Sequence, residues 1–148
     1  GVKMDDQQRL QQILSQLEVY KSQTEVYQQQ IDAVQASLNE IRIFESTLDD
    51  IAGKDTVETL VPLGAGSFIN AEIKNEGKVI MSLGSGVAVS KTFEEAKETT
   101  ARQKKELEDT RDKLFKDLQQ ITDIVAQLSP QAEQLMQSLQ AQGMAPQL

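Results

Sequence analysis

Apolar side chains recur at alternating steps of three and four residues along the first third of the chain. An average period of 3.5 residues keeps one stripe of side chains against a partner helix, which is the pattern of a coiled coil. Asp5 or Asp6 can cap the start of this helix and Gly53 can end it, so we predict a helix over residues 6–52. The stripe consists of Leu10, Ile13, Leu17, Tyr20, Thr24, Tyr27, Ile31, Val34, Leu38, Ile41, Glu45 and Leu48.

A second helical stripe occupies the last third of the chain. Thr92 and Glu95 have the spacing of a capping box, which predicts a helix start at this point. Pro130 either kinks this helix or opens a short continuation capped by Ser129. We predict a helix over residues 93–139 and a frayed tail over residues 140–148. The second stripe consists of Phe93, Thr100, Leu107, Leu114, Leu118, Ile121, Val125, Leu128, Ala132, Leu135 and Leu139.

Between the helices the pattern changes from a helical period to alternation with a period of two. The motif L-G-x-G occurs at residues 63–66 and again at residues 83–86, each time between two runs of β-prone residues. This predicts strands over residues 57–63, 67–74, 78–83 and 87–91, paired as two β-hairpins. Pro62 cannot donate a ladder hydrogen bond, so we expect a sheet edge or a bulge there.

These elements predict an α+β fold, namely a long antiparallel two-helix coiled coil with two central β-hairpins. We expect one domain over residues 1–148 that shares its core with other subunits, because four short strands bury little alone and their free edges invite pairing. Ile43, Phe44 and Ile51 lie off the first stripe near the strands, and we expect them to pack on the hairpins. Lys97, Lys104 and Arg111 fall on the second stripe, where they either set the helix register against acidic residues such as Glu45 or are simply solvated.

Other apolar residues lie off the stripes near the free ends of both helices. Leu14, Ile124 and Met136 widen the stripes there, with Met144 and Leu148 beyond, and we expect nothing in this chain to cover them. Exposed apolar surface on a polar, glutamine-rich helix end indicates a site for apolar partners. Local helix packing or a frayed terminus would explain the same residues equally well.

Composition excludes several classes of function. A net charge of -8 argues against nucleic-acid binding, which needs clustered lysine and arginine. The chain has no cysteine and no histidine, so it has no thiolate nucleophile and lacks the usual acid/base group and metal ligand. No apolar run reaches the length of a membrane span. This composition is compatible with a cytoplasmic protein without establishing one, and we expect a protein that is not an enzyme, with no metal, cofactor or membrane contact.

The hairpin sequences carry a resemblance to a known family. The segments L-V-P-L-G-A-G-S-F-I at residues 60–69 and V-I-M-S-L-G-S-G-V-A-V at residues 79–89, between two coiled-coil helices, resemble the α class of archaeal prefoldin. The resemblance implies a hexamer of two α and four β subunits, in which the hairpins form a β-barrel body and the coiled coils project from it. It also implies an ATP-independent chaperone that captures non-native proteins at the coiled-coil tips and delivers them to a group II chaperonin.

Two sets of site residues follow from this interpretation. We expect clients to contact residues at the helix ends: Leu10, Ile13, Leu14, Leu17, Leu128, Leu135, Met136, Leu139 and Met144. We expect the hairpins to hold the subunits together through Leu60, Val61, Leu63, Phe68, Ile69, Ile73, Val79, Ile80, Met81, Leu83, Val87 and Val89. The alternative from another class is a structural coiled-coil scaffold or filament subunit that binds one folded partner.

Overall fold

A computed structural model describes residues 5–143 and contains two long helices with four strands between them. The elements are α1 (Asp6–Ile51), β1 (Thr56–Gly64), β2 (Ser67–Lys74), β3 (Lys78–Gly84), β4 (Val87–Thr92) and α2 (Phe93–Ala141). The predicted order of helix, two hairpins and helix is confirmed. Both ends of α2 differ little from the prediction, and Pro130 lies inside the continuous helix rather than at the start of a new one.

The helix ends are fixed by the caps that the sequence indicates. The Asp5 carboxylate accepts a hydrogen bond of 2.8 Å from the backbone N–H of Gln8 at the start of α1. Gly53, just past the end of α1, has a φ of 79°, a conformation that glycine adopts without steric cost. At the start of α2, the N–H of Glu95 donates to Thr92 Oγ1 and the N–H of Thr92 donates to Glu95 Oε1, both at 3.2 Å. This reciprocal pair is the capping box that the spacing predicts.

The two hairpins share one turn geometry, which accounts for the repeated L-G-x-G motif. β1 pairs with β2 and β3 pairs with β4, each antiparallel, and the described strands form two separate two-stranded sheets. The two turn residues have positive φ in both hairpins, 52° and 73° at Ala65 and Gly66, and 52° and 76° at Ser85 and Gly86. Two consecutive positive φ values suit the right-handed twist of a tight hairpin.

Each hairpin also contains one irregularity beside its turn. The register shifts between Pro62 and Gly64 in the first hairpin and between Ser82 and Gly84 in the second. The expectation of a bulge or edge at Pro62 is therefore confirmed as a bulge next to it. These irregularities lie directly beside the turns, so the regular alternation of side chains is interrupted only at the hairpin ends.

The chain divides into two compact units. The terminal unit contains the chain up to Gln35 and from Asp109 onward, and the hairpin unit contains Ala36–Glu108. The core of the terminal unit is a cluster of buried residues from both helices, which are Leu10, Ile13, Ala132 and Leu139. Ile31 and Ile121 are also buried in this unit, so the interior follows the two predicted stripes.

In the hairpin unit, α1 and α2 run antiparallel to each other. Lys97 Nζ lies 2.8 Å from Asp49 Oδ1, and Lys104 Nζ lies 3.8 Å from Glu45 Oε1, so residue numbers rise along one helix as they fall along the other. The buried residues here are Ile41, Leu48, Ala96 and Thr100. The buried Thr100 hydroxyl is hydrogen-bonded, because it lies 3.1 Å from the carbonyl oxygens of both Ala96 and Lys97.

Asn75 joins the connection between the hairpins to the end of α1. Its side-chain amide donates to the carbonyl oxygens of Ile51 at 3.1 Å and Lys54 at 2.7 Å, and its backbone N–H donates to the carbonyl of Asp55 at 2.9 Å. Its side-chain oxygen accepts from the N–H of Gly77. Asn75 therefore ties the turn between the hairpins to the last carbonyl of α1 and to the loop that follows that helix.

Candidate functional site

The exposed surface of the hairpins is unusually apolar for a chain considered alone. The predicted assembly residues that are exposed are Leu60, Val61, Leu63, Phe68, Ile69, Ile73, Ile80, Leu83 and Val87. Large apolar patches on soluble proteins mark interaction surfaces, and unpaired strand edges lie alongside this one. The arrangement can therefore bury apolar area against another chain and extend its sheets with the strands of that chain.

The two faces of the second hairpin differ in burial. Val79, Met81 and Val89 are half-buried, whereas Ile80 is 79% exposed. Met81 and Ile80 line one open groove together with Ile41 and Phe44 of α1. Val79 and Met81 thus belong to the half-buried face of the hairpin, and Ile80 offers the largest free apolar side chain to a second subunit.

The apolar residues of α1 near the strands also differ in burial. Phe44 is half-buried and lines the groove beside Met81, as expected for a residue that packs on the hairpins. Ile51 is also half-buried. Ile43 is 52% exposed, so the expectation that it packs on the strands is wrong. In an α-helix adjacent residues differ by about 100° in direction, which turns Ile43 away when Phe44 faces the groove.

At the free helix ends, the structure separates buried residues from a half-buried rim. Leu10 and Leu139 are each 1% exposed and lie in the terminal cluster with Ile13 and Ala132. The predicted client residues that are half-buried and pack against the cluster are Leu14, Leu17, Leu128, Leu135 and Met136. We call these five residues the apolar rim. Met144 and Leu148 lie outside the described residues.

This arrangement corrects one expectation about the helix ends. Leu14 and Met136 were expected to have no cover from this chain, but both pack against the terminal cluster and are half-buried. Their position one step from the stripes explains this, since a helix-helix contact wide enough to hold leucine also touches the flanking positions. Ile124, which was also expected to have no cover, is 36% exposed, so most of this residue is covered as well.

Two of the three basic residues on the second stripe lie near acidic residues of α1. Lys97 pairs with Asp49, and both side chains are about half exposed or more, so the ion pair contributes little to stability. Lys104 Nζ lies beyond hydrogen-bond distance from Glu45. Arg111 contacts its neighbour Asp112 at 3.3 Å. Lys104, on the second stripe, therefore lies near Glu45, the acidic residue expected there, whereas Arg111 contacts a residue of its own helix.

One carboxyl group has a shifted pKa. The hydrogen bonds from the backbone and side chain of Thr92 lower the pKa of Glu95 from its ordinary value of 4.5, with smaller contributions from Lys91 and Lys78. The ionised form of Glu95 is the better acceptor for the backbone N–H of Thr92, so this shift reflects the capping box. It belongs to helix capping and not to acid/base chemistry.

The described residues contain no cluster of three or more metal-ligating side chains. Within residues 5–143 no helix is long and apolar enough to cross a membrane. What the molecule presents instead is apolar surface at two places, on the hairpins and at the rim of the helix ends. The groove beside the second hairpin is open to solvent, which suits a protein partner better than an enclosed small molecule.

The sequence did not predict the hydrogen bonds of Asn75, nor which apolar residues at the helix ends are buried and which are half-buried. Asn75 lies 24 residues after Ile51, with the whole first hairpin between them, so its local sequence does not indicate that its side chain bonds the last carbonyl of α1. The division between buried and half-buried residues at the helix ends was also missed. A heptad count does not contain this distinction, since Leu17, Leu128 and Leu135 lie on the stripes and are nevertheless half-buried.

Comparison with known proteins connects these features to one family. The chain matches the family "Prefoldin subunit" over residues 20–138. It is 50% identical over 132 residues to "Prefoldin subunit alpha" of Methanobrevibacter smithii, covering 89% of this chain and 90% of that protein. It is 34% identical over 133 residues to "Prefoldin subunit alpha" of Methanosphaera stadtmanae, covering 90% of this chain and 96% of that protein.

A solved structure has the same fold. A chain in the cryo-EM structure of filamentous PFD from Methanocaldococcus jannaschii superposes with a TM-score of 0.64, covering 77% of this chain and 95% of that chain. The two sequences are 21% identical. This likeness confirms the predicted architecture of two long helices and two hairpins.

Proposed function

Because this chain belongs to the prefoldin family of chaperones, we propose that it is an ATP-independent holdase subunit that retains non-native proteins at its helix ends. The observation that carries this proposal is the apolar rim around the terminal cluster. The half-buried leucine and methionine side chains of this rim can contact apolar groups of many shapes, because these side chains repack readily.

The predicted client residues divide into two roles in this proposal. Leu14, Leu17, Leu128, Leu135 and Met136 contact a client directly, since part of each side chain is accessible. Leu10, Ile13 and Leu139 are buried and reach a client only when the helix ends separate locally. Helix ends open at low free-energy cost compared with a compact core, so a bound client can stabilise the separated form.

The hairpins are the proposed assembly surface. Their exposed apolar residues and unpaired strand edges support pairing with β-type prefoldin subunits in a shared β-barrel, and we propose the hetero-hexamer of two α and four β subunits. Several arms in one particle would bind one client together, so weak contacts at each helix end add up by avidity. A group II chaperonin in the cytoplasm is the proposed recipient of the client, and no catalytic step is proposed.

The holdase proposal is tested by replacing the rim. In the assembled complex, Leu14→Gln with Met136→Gln removes apolar area and keeps helix propensity and length. We expect suppression of aggregation of a chemically denatured protein, without ATP, to fall strongly. Val19→Gln with Val26→Gln removes exposed apolar side chains of α1 outside the rim and is the matched control. Equal suppression by the rim variant and the wild type, at unchanged oligomer mass, would contradict the proposal.

The assembly proposal needs a separate variant. Leu63→Asp with Ile80→Asp changes two exposed hairpin side chains and leaves the half-buried face with Val79 and Met81 intact. We expect the oligomer to dissociate, because burying a carboxylate in an apolar interface is costly, while helix content measured by circular dichroism stays the same. Light scattering that shows an unchanged particle mass would mean that other surfaces hold the subunits.

A structural scaffold or filament subunit is the second candidate function. The filamentous assembly of the structurally similar protein from Methanocaldococcus jannaschii favours it. The two candidates differ in partner choice, because a scaffold binds one folded partner and a holdase binds many unfolded ones. Incubation with a panel of unrelated denatured proteins and their folded forms distinguishes them, since a scaffold would leave the denatured panel unbound.

A further inference from the structure

The chemistry of α2 changes abruptly at Asp117. The residues from Phe93 to Asp117 are mostly charged and include one glutamine, Gln103. After Asp117 the only charged residues are Asp123 and Glu133, and no lysine or arginine follows Lys116. Glutamine replaces charge as the main polar residue, at positions 119, 120, 127, 131, 134, 137, 140, 142 and 147. The start of α1 has the same character, with glutamine at positions 7, 8, 11, 12 and 16.

Two of the α2 glutamines flank the apolar rim. Residues three and four positions apart are neighbours on a helix surface. Gln131 is three residues from Leu128 and four from Leu135, and Gln140 is four residues from Met136. Both glutamines are exposed, so their amides border the half-buried apolar side chains on the solvent side.

Solubility alone does not explain the choice of glutamine. Lysine and glutamate are equally good helix formers and keep a surface soluble, and the preceding part of α2 uses them heavily. A charged rim would attract clients of one sign and repel those of the other, and would weaken with salt. An amide has one acceptor oxygen and two donor hydrogens, so it can pair with both the N–H and the C=O of a peptide bond. Those groups are present in every unfolded chain whatever its side chains.

We infer that Gln131 and Gln140 bind the unpaired backbone amide groups of an extended client segment whose apolar side chains contact the rim. This inference rests on the proposed holdase function and names the chemical class of its substrate as extended, apolar polypeptide of any net charge. Hydrogen bonds to the backbone select non-native chains, because folded proteins have already paired most of their backbone groups.

The test compares two fluorescein-labelled peptides with the assembled complex by fluorescence anisotropy. One is an uncharged, extended peptide rich in leucine and valine, and the other has the same sequence with alternate backbone nitrogens methylated. We expect methylation to weaken binding to the wild type by about tenfold, since it removes hydrogen bonds of modest net strength. In Gln131→Ala with Gln140→Ala, we expect the two peptides to bind equally. Gln12→Ala with Gln134→Ala, whose helix neighbours are mostly polar, is the control and should discriminate as the wild type does.

A second measurement uses the charge-poor character of the site. Dissociation constants for versions of the peptide with two added lysines or two added glutamates should agree within about twofold between 50 and 500 mM salt, because few charges flank the rim. Equal binding of the methylated and unmethylated peptides to the wild type would overturn this inference and leave the holdase proposal standing. Failure of the wild type to bind either peptide would overturn both.

Discussion

Replacing Leu10 by alanine tests whether the terminal cluster holds the helix ends together. The Leu10 side chain is 1% exposed and packs with Ile13, Ala132 and Leu139. Alanine removes three carbons, which at about 0.8 kcal/mol for each buried methylene corresponds to about 2.4 kcal/mol. This lies within the range of about 2–5 kcal/mol found for such substitutions in protein cores. A narrow two-helix core should lie near the lower end, because it can partly collapse around the lost atoms.

The effect should be local and is best measured by amide hydrogen exchange. Since 1.4 kcal/mol corresponds to a factor of ten, protection of amides near Leu10 and Leu139 should fall about fiftyfold. Amides of the hairpins should keep their protection. Val19→Ala is the control on the same helix, because Val19 is 54% exposed and alanine is the better helix former. Unchanged protection in the Leu10 variant, or an equal loss in the Val19 variant, would refute the assignment of Leu10 to a packed core.

Four further predictions concern the connections between elements. Thr92→Ala removes the cap of α2 and should lower the free energy of unfolding by about 1 kcal/mol in urea denaturation; an unchanged midpoint would mean that the cap is replaced by water. The pKa of Glu95 is lowered in the folded state, so ionised Glu95 contributes to the free energy of unfolding. This contribution is complete above pH 4.5 and is lost as the pH falls through the lowered pKa. Glu95→Gln should therefore make the free energy of unfolding less dependent on pH in the acidic range. Asn75→Ala should cost about 1–3 kcal/mol, because it removes the side-chain hydrogen bonds to the carbonyls of Ile51 and Lys54, and hydrogen exchange at the end of α1 should accelerate; unchanged exchange would contradict this role. Asp49→Ala, which breaks the exposed pair with Lys97, should change stability by less than about 1 kcal/mol, and a larger loss would mean that the pair is better shielded than its exposure indicates.

Much of the fold could be predicted from the sequence because it depends on local and periodic signals. The two stripes predict which residues are buried, and Leu10, Ile31, Leu48 and Leu139 are all fully buried. The L-G-x-G repeat predicts both hairpin turns, since few residues other than glycine tolerate the positive φ that such turns need.

The candidate site could be predicted only in part. Which apolar residues near the helix ends are covered depends on how far the partner helix extends around each side, and a heptad count does not contain this distance. Leu14 and Met136 were therefore placed at the right end of each helix but were expected to be more exposed than they are. In the first hairpin, the neighbouring residues Leu60 and Val61 are both exposed although they point to opposite faces, so the face that another chain would cover could not be predicted from a period of two.

The most direct test of the central claim, that non-native clients bind at the helix ends, is site-specific photo-cross-linking. A photoreactive phenylalanine analogue is placed at Leu14 or Met136 in the apolar rim, or at Ile43, an exposed apolar position in the hairpin unit, and the assembled complex is illuminated with a denatured client. Our account predicts cross-links to the client from the two rim positions and few or none from Ile43. Equal labelling from all three positions, or labelling from Ile43 alone, would contradict it.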